Sequence, residues 1–516
     1  QTIYLTSTEG NTFKIDNSES GSSIKAVIQV KESGILYTGN IILTGGDRTT
    51  DAGGGGGVLL GVGPQVTDKG AIFHMNEGTI ITGNKAGFGG GVYISEGSEF
   101  HMHGGEISEN SITSRGGGVF GFRSAKFYLY NGDLRDNKTS CVGCADAVYM
   151  EGKPNSKGTF IMYNGRIFKS DLGLGQKTSR GGGVQVEHTN FDMYDGEIYN
   201  FFGNGSGGGV GVLDSIFNMY DGKIYRNINF FGNGVIVHSS ERTSDIEKAS
   251  YSIFNMYGGI IGGESKEDGN LNESSYGAVG LGTEWGTQGG TFNMYGGKIK
   301  NNDSPGISST RSGVINIMNN SEISNNTKYG IRIFGNSVLT ISDEALVSNN
   351  SGGIHATSGV VTLNDNVKIT NNRSESTHGG GIYTSGTSEL YLNGGEISNN
   401  YTRGNGGGLH AGGKVYLRDI EFFNNEARLD GGGIYAPDYS NIHILEGGTI
   451  SFYDNQSQYI GVAAEIPNVG TYEGTITRTT LDNHTFTGVL KSKINEFLDN
   501  GGTLKELVVF NNHDIN

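Results

Sequence analysis

One short phrase recurs along this chain. Phe-x-Met or Phe-x-Leu running into a glycine bend opens at Phe73, Phe100, Phe127, Phe160, Phe191, Phe217, Phe254 and Phe292, and weaker copies open at Ile315, Leu339, Val361, Leu390, Val415 and Ile442. Successive starts lie 22 to 38 residues apart. A period of this size marks stacked supersecondary units, each able to bury its apolar side only against its neighbours. Such a chain grows by addition, instead of dividing into the roughly two to four domains that its length would otherwise fill.

Every copy carries the same parts in the same order. Apolar residues two apart, such as Phe191 and Met193, point to one face of a strand. A Gly-Gly, Asp-Gly or Asn-Gly bend follows, where positive φ costs little. Next come an isoleucine (Ile107, Ile198, Ile224, Ile299, Ile397) and an asparagine turn (Asn110, Asn137, Asn227, Asn301, Asn325, Asn399). A third strand opened by glycines closes the copy, as in GGGVY at 89–93 and GGGIY at 379–383. Three short strands per copy make one rung of a parallel β-helix, with rungs about 4.8 Å apart, and the crossover preference makes it right-handed. Leucine-rich repeats would need a leucine frame that is missing, and propeller blades would need a longer period.

The expected fold is therefore all-β, a right-handed parallel β-helix over residues 73–459. Residues 1–72 read as degenerate N-terminal rungs or a cap. Residues 460–516 read as a small α+β C-terminal cap or the start of a next module, with an amphipathic helix over 489–498 and a strand over 504–510. Within the solenoid, Phe73 to Phe292 form an inner aromatic column and the asparagines a hydrogen-bonding ladder at one corner.

Composition narrows the class of partner. The 90 glycines and 5 prolines exclude a helical bundle, and the Gly-x-y period of collagen is missing. The 24 Phe and 25 Tyr residues set the chain apart from disordered sequences. A formal charge of −16 with scattered Lys and Arg argues against a nucleic-acid partner. No apolar run approaches the roughly 18 residues of a membrane-spanning helix, so no membrane insertion is expected from this segment. No signal peptide is visible at Gln1, which reads as a mature chain or an excised segment.

The segment FFNNEARLDGGGIY at 422–435 resembles the repeat of the polymorphic outer membrane proteins, which are autotransporter adhesins, and of related adhesin-like surface proteins. That repeat pairs F-x-x-N with G-G-[AILV]-[ILVY]. The first motif stands at Phe422 to Asn425, Phe201 to Asn204, Phe230 to Asn233 and Phe452 to Asn455; the second is GGVY at 90–93 and GGIY at 380–383 and 432–435. ITGNKAGFGGGVY at 81–93 is a near copy with Ile81 in place of Phe, and the resemblance covers roughly residues 50–460. It implies a right-handed β-helix with a surface or secreted role in adhesion. With no membrane-barrel segment following, a cell-wall-attached or secreted homologue is the expected form.

Four sets of residues invite a functional reading. Tyr130, Tyr163, Tyr194, Tyr220, Tyr257 and Tyr295 share the fourth position of the phrase, where alternation from the inward Phe and Met points them outward. Exposed aromatic planes beside Asn and Asp suit a sugar or an extended protein ligand, although in-register tyrosines also stabilise strands. His101 and His103 flank inward Met102, and His74 matches His101 one rung earlier, so three imidazoles share a patch that could hold zinc or copper. Cys141 and Cys144 are a lone C-x-x-C without further ligands, read as a loop disulfide or two idle thiols. Asp192 and Asp195 are the nearest approach to paired carboxylates, read as solvated acids. The Asp-Asp, Asn-Thr-Asp, Gly-His-Gly and Arg-Ile-Lys signatures of polygalacturonase-like β-helices are missing, so no catalytic residue, enzyme activity or cofactor is expected. The reading is an extracellular or cell-surface adhesin-type β-helix that binds a host or neighbour-cell glycan or protein. A self-assembling filament or matrix subunit and a polysaccharide lyase or hydrolase are the alternatives.

Overall fold

The structure is a computed structural model. It describes residues 1–7, 12–18, 25–49, 53–61, 70–141, 144–171, 182–203, 207–229, 231–240, 252–271, 276–282, 288–375, 378–438, 441–445, 449–457 and 475–479. The chain forms two compact units, residues 1–292 and 293–516. Both are right-handed parallel β-helices built almost wholly of short parallel strands.

In the N-terminal unit, one rung is illustrated by Glu99–Met102, Glu106–Ser108 and Val119–Phe122. Each strand pairs with its equivalent in the next rung. Phe100 sits opposite Phe73 and Phe127, and Ile107 opposite Ile81 and Leu134. Alternation decides which residues enter the core. Phe100 and Met102 are fully buried while Glu99 and His101 stay at the surface. The inner column runs from Phe73 through Phe100, Phe127, Phe160, Phe191, Phe217 and Phe254 to Phe292, with neighbouring ring centres 4.4–5.0 Å apart. Regular pairing extends to the N-terminal end, where Thr2–Thr6 pairs with Ile35–Gly39 and Phe13–Asp16 with Ile41–Thr44. Residues 2–61 thus already form rungs in the described segments.

The C-terminal unit repeats the plan with an aliphatic interior: Ile315, Leu339, Val361, Leu390 and Val415 are fully buried where the other unit places phenylalanines. Strand Thr475–Thr479 pairs in parallel with Thr449–Tyr453. The expected helix over 489–498 and strand over 504–510 lie outside the described residues.

A corner asparagine binds successive rungs together, and its position corrects the expectation. Asn301, Asn325 and Asn399 are not the ladder residues. They hold the left-handed bend itself, at φ 58, 56 and 53°, a conformation asparagine tolerates. The residue after each points inward, giving an unbroken ladder of Asn302, Asn326, Asn350, Asn372, Asn400, Asn425 and Asn455. In the N-terminal unit the ladder residues are Asn84, Asn110 and Asn137, then Asn227 and Asn270. Between those runs Phe201 takes the ladder position, its N–H donating to Asn227 Oδ1 at 3.1 Å. Nearby, Lys169 is paired with the fully buried Asp146 at 3.0 Å. A fourth short strand beyond this corner was not expected: Asp47–Arg48, Lys85–Phe88, Ser111–Arg115 and Lys138–Thr139 form their own parallel sheet.

Candidate functional site

In the N-terminal unit the first strand of a rung, such as Thr189–Met193 or Ile216–Met219, is followed by an outward side chain just before the glycine bend. Gly222, at φ 95°, shows why glycine follows: a Cβ there would meet the Gly196 carbonyl oxygen at 2.6 Å. Unshifted parallel pairing, which sets Leu129, Met162, Met193, Met219 and Met256 opposite one another, puts the preceding side chains in register, so they stack. The rings run from His103 through Tyr130, Tyr163, Tyr194 and Tyr220 to Tyr257, with centres 4.7–5.4 Å apart and planes within 10°. Tyr163, Tyr194, Tyr220 and Tyr257 are 41, 43, 38 and 44% exposed. Tyr130 is half-buried, and burial, then the neighbouring Tyr163, raises its pKa. Tyr295 belongs to the C-terminal unit, where its carbonyl accepts from Asn319 Nδ2 at 2.9 Å.

A second column lies two residues earlier on the same face. Tyr4, Tyr37, His74, His101 and Tyr128 stack at 4.4–4.8 Å. Farther along this column the rings give way to Asp192, Asn218 and Asn255. Asn218 Nδ2 donates to Asp192 Oδ1 at 2.7 Å, and Asn255 Nδ2 to Asn218 Oδ1 at 2.8 Å. The signal for this row is the x of Phe-x-Met, whose residue type changes from rung to rung and so leaves no recurrent residue in the sequence.

The three histidines come together where the two columns meet. His74 Nδ1 and His103 Nε2 are 3.1 Å apart, and His101 Nε2 is 3.2 Å from Glu99 Oε2. Their rings are stacked within 20° of parallel. Lone pairs lie in the ring planes, so stacked imidazoles direct them along parallel planes and not at one point. Among the described residues no group of three or more His, Cys, Asp or Glu side chains has metal-holding geometry. Burial, then His101 and His103, lowers the His74 pKa to about 4, and burial followed by His101 lowers that of His103. Burial opposes ionisation of Glu99, but hydrogen bonds from Lys126 and His101 outweigh it and hold the carboxyl below its ordinary value.

Cys141 and Cys144 form a disulfide with Cα atoms 5.6 Å apart. Asp195 Oδ1 accepts from the Gly196 N–H at 2.7 Å, capping the bend beside Tyr194. Sequence reasoning missed a closer carboxylate pair, Glu151 and Glu187, which are register partners on adjacent strands. Arg115 bonds Glu151 and lies 3.8 Å from Glu187, Lys153 reaches Glu151 at 2.8 Å, and the Tyr149 hydroxyl donates to Glu187 at 2.9 Å. Both carboxylates are thereby engaged in a closed ion-pair network.

Comparison with known proteins finds no relative: no family model, no curated protein and no solved structure matches the chain significantly. Nothing in the comparisons identifies the polymorphic outer membrane protein family, and the ring column is the feature on which a functional reading rests.

Proposed function

We propose that this chain is an extracellular or cell-surface recognition protein of adhesin type, whose N-terminal unit binds an extended ligand, a glycan or a protein, along the ring column. One observation carries the reading. Among the described residues, eight large apolar or aromatic side chains are well exposed, and four of them are Tyr163, Tyr194, Tyr220 and Tyr257 in that single column. The phenylalanine column already supplies the aromatic core of the same rungs, so the outer tyrosines are not needed for burial. Contiguous exposed aromatic area on a rigid scaffold is characteristic of binding surfaces. The Cys141–Cys144 disulfide accords with an oxidising compartment.

Glycan and extracellular-protein arrays probed with the full chain and with a Tyr220→Ala/Tyr257→Ala double variant test this. The expected result is a loss of about tenfold or more in affinity for the bound ligand, as for truncation of interface tyrosines. Binding unchanged in the double variant would overturn the column as a recognition face. Concentration-dependent sedimentation abolished by the same variant would reassign the column to self-association.

A further inference from the structure

Building on the ring column as a recognition face, we infer that its ligand is an uncharged, hydroxyl-rich extended glycan. It is held by the edges of Tyr194, Tyr220 and Tyr257 together with the row Asp192, Asn218 and Asn255. The rings in this stretch are stacked at 4.7 and 5.0 Å with planes 10° and 8° apart. Their faces are therefore covered by one another, and a sugar cannot lie flat on them. What faces solvent is a line of ring edges carrying hydroxyls. Among the described residues the hydroxyls of Tyr194 and Tyr220 have no hydrogen-bond partner, and both side chains are exposed.

The parallel row adds matched polar chemistry. Asp192, Asn218 and Asn255 stand two residues before Tyr194, Tyr220 and Tyr257 on the same side of their strands. The bonds along the row, 2.7 and 2.8 Å long, fix the Asn218 amide while using one of its two N–H groups and one of its acceptor positions. The rungs of Tyr194 and Tyr220 so present groups that both donate and accept, which is what a polymer of hydroxyls requires. The ring spacing is close to the advance of one pyranose unit in an extended β-linked chain.

Other ligand classes fit less well. A peptide adding as a strand needs an unpaired sheet edge, whereas Thr189–Met193 and Ile216–Met219 are paired on both sides. A folded partner needs an apolar interface centre, and this face offers ring edges, amides and carboxylates. Residues 189–196, 216–222 and 253–259 contain no Lys or Arg, so an anionic glycan would meet only Asp192, Asp195 and Asp221. Two of those acids cap their own bends, with Gly196 and Gly222 N–H donating at 2.7 and 2.8 Å, and are not gathered around a cation.

Affinity electrophoresis and calorimetry with the full chain test the inference. The probes are neutral β-glucans, xylans, mannans and galactans of graded length, with polygalacturonate and oligolysine as charged comparisons. The expected result is binding to a neutral polysaccharide that strengthens with chain length and changes little with salt. Tyr220→Phe, which keeps the stack and removes the hydroxyl, and Asn218→Ala should each weaken it about three- to tenfold, the effect of one lost hydrogen bond. Failure to bind any neutral polysaccharide, or binding unchanged in both variants, would overturn the inference. Binding of polygalacturonate or oligolysine that is lost in Tyr220→Ala/Tyr257→Ala would overturn the glycan class while leaving the recognition face standing. Indifference of every probe to that double variant would remove both.

Discussion

A ladder asparagine spends its whole hydrogen-bonding capacity between rungs. Asn350 Oδ1 accepts from both the backbone N–H and Nδ2 of Asn326, and its Nδ2 donates to Ile323 O and Asn372 Oδ1. Asn350→Ala should therefore destabilise the C-terminal unit by about 3 kcal/mol or more, since two buried donors and a carbonyl lose partners at about 1–3 kcal/mol each; urea denaturation measures it. Two histidines of the same unit set a pH dependence. His355 and His410 stack with Tyr383 between them at 4.7 and 4.8 Å. Burial, then the Arg332 guanidinium, lowers the His355 pKa to about 4, and burial, then His378, does the same for His410. Their folded-state pKa lies below the unfolded value of 6.5, so the unfolded chain binds more protons in between. The stability from keeping them neutral is whole above pH 6.5 and drains away as pH falls toward 4. Tm should drop across that window, and His355→Phe/His410→Phe, which keeps the stacking, should flatten the slope. The same slope in the double variant would contradict this origin.

The strand-forming elements are legible because their side-chain period is two, and the rung register follows from the Phe-x-Met phrase. Glycine's place in the third strand depends on the neighbouring rung. Gly91 lies so close to the next rung that a Cβ would sit 2.7 Å from Gly118 O and from Ile107 Cγ2. Gly91→Ala should cost about 1–3 kcal/mol of overpacking strain. Phe191→Ala, opening a gap between Phe160 and Phe217, should cost about 3–5 kcal/mol. Thermal unfolding of both variants checks the order of these effects. The fourth strands escaped the sequence reading because two-residue pairings such as Lys138–Thr139 have no period to detect. The ladder register was misread by one residue in the Asn-Asn pairs because either asparagine can hold a left-handed bend. Only the corner geometry assigns the first to the bend and the second to the interior.

At the scale of the whole molecule the acidic surface is the dominant long-range term. With a formal charge of −16, the chain should pass through heparin or DNA columns at low salt and bind an anion exchanger, whereas retention on DNA would contradict the expectation drawn from that charge. Among the described residues no helix is long and apolar enough to cross a membrane. The sequence by itself determined the solenoid, its inner Phe and Met positions and the outward side of the tyrosines, because a repeated strand can bury its apolar alternate residues only by stacking on its copies. Tertiary structure decided the rest. It closed His103 and five tyrosines into a continuous stack that hides their faces, and set Asp192, Asn218 and Asn255 beside them. It turned three histidines into parallel plates and drew Glu151 and Glu187 onto one arginine. These outcomes depend on the register between rungs separated by loops of unequal length, a distance in space that spacing along the chain does not encode.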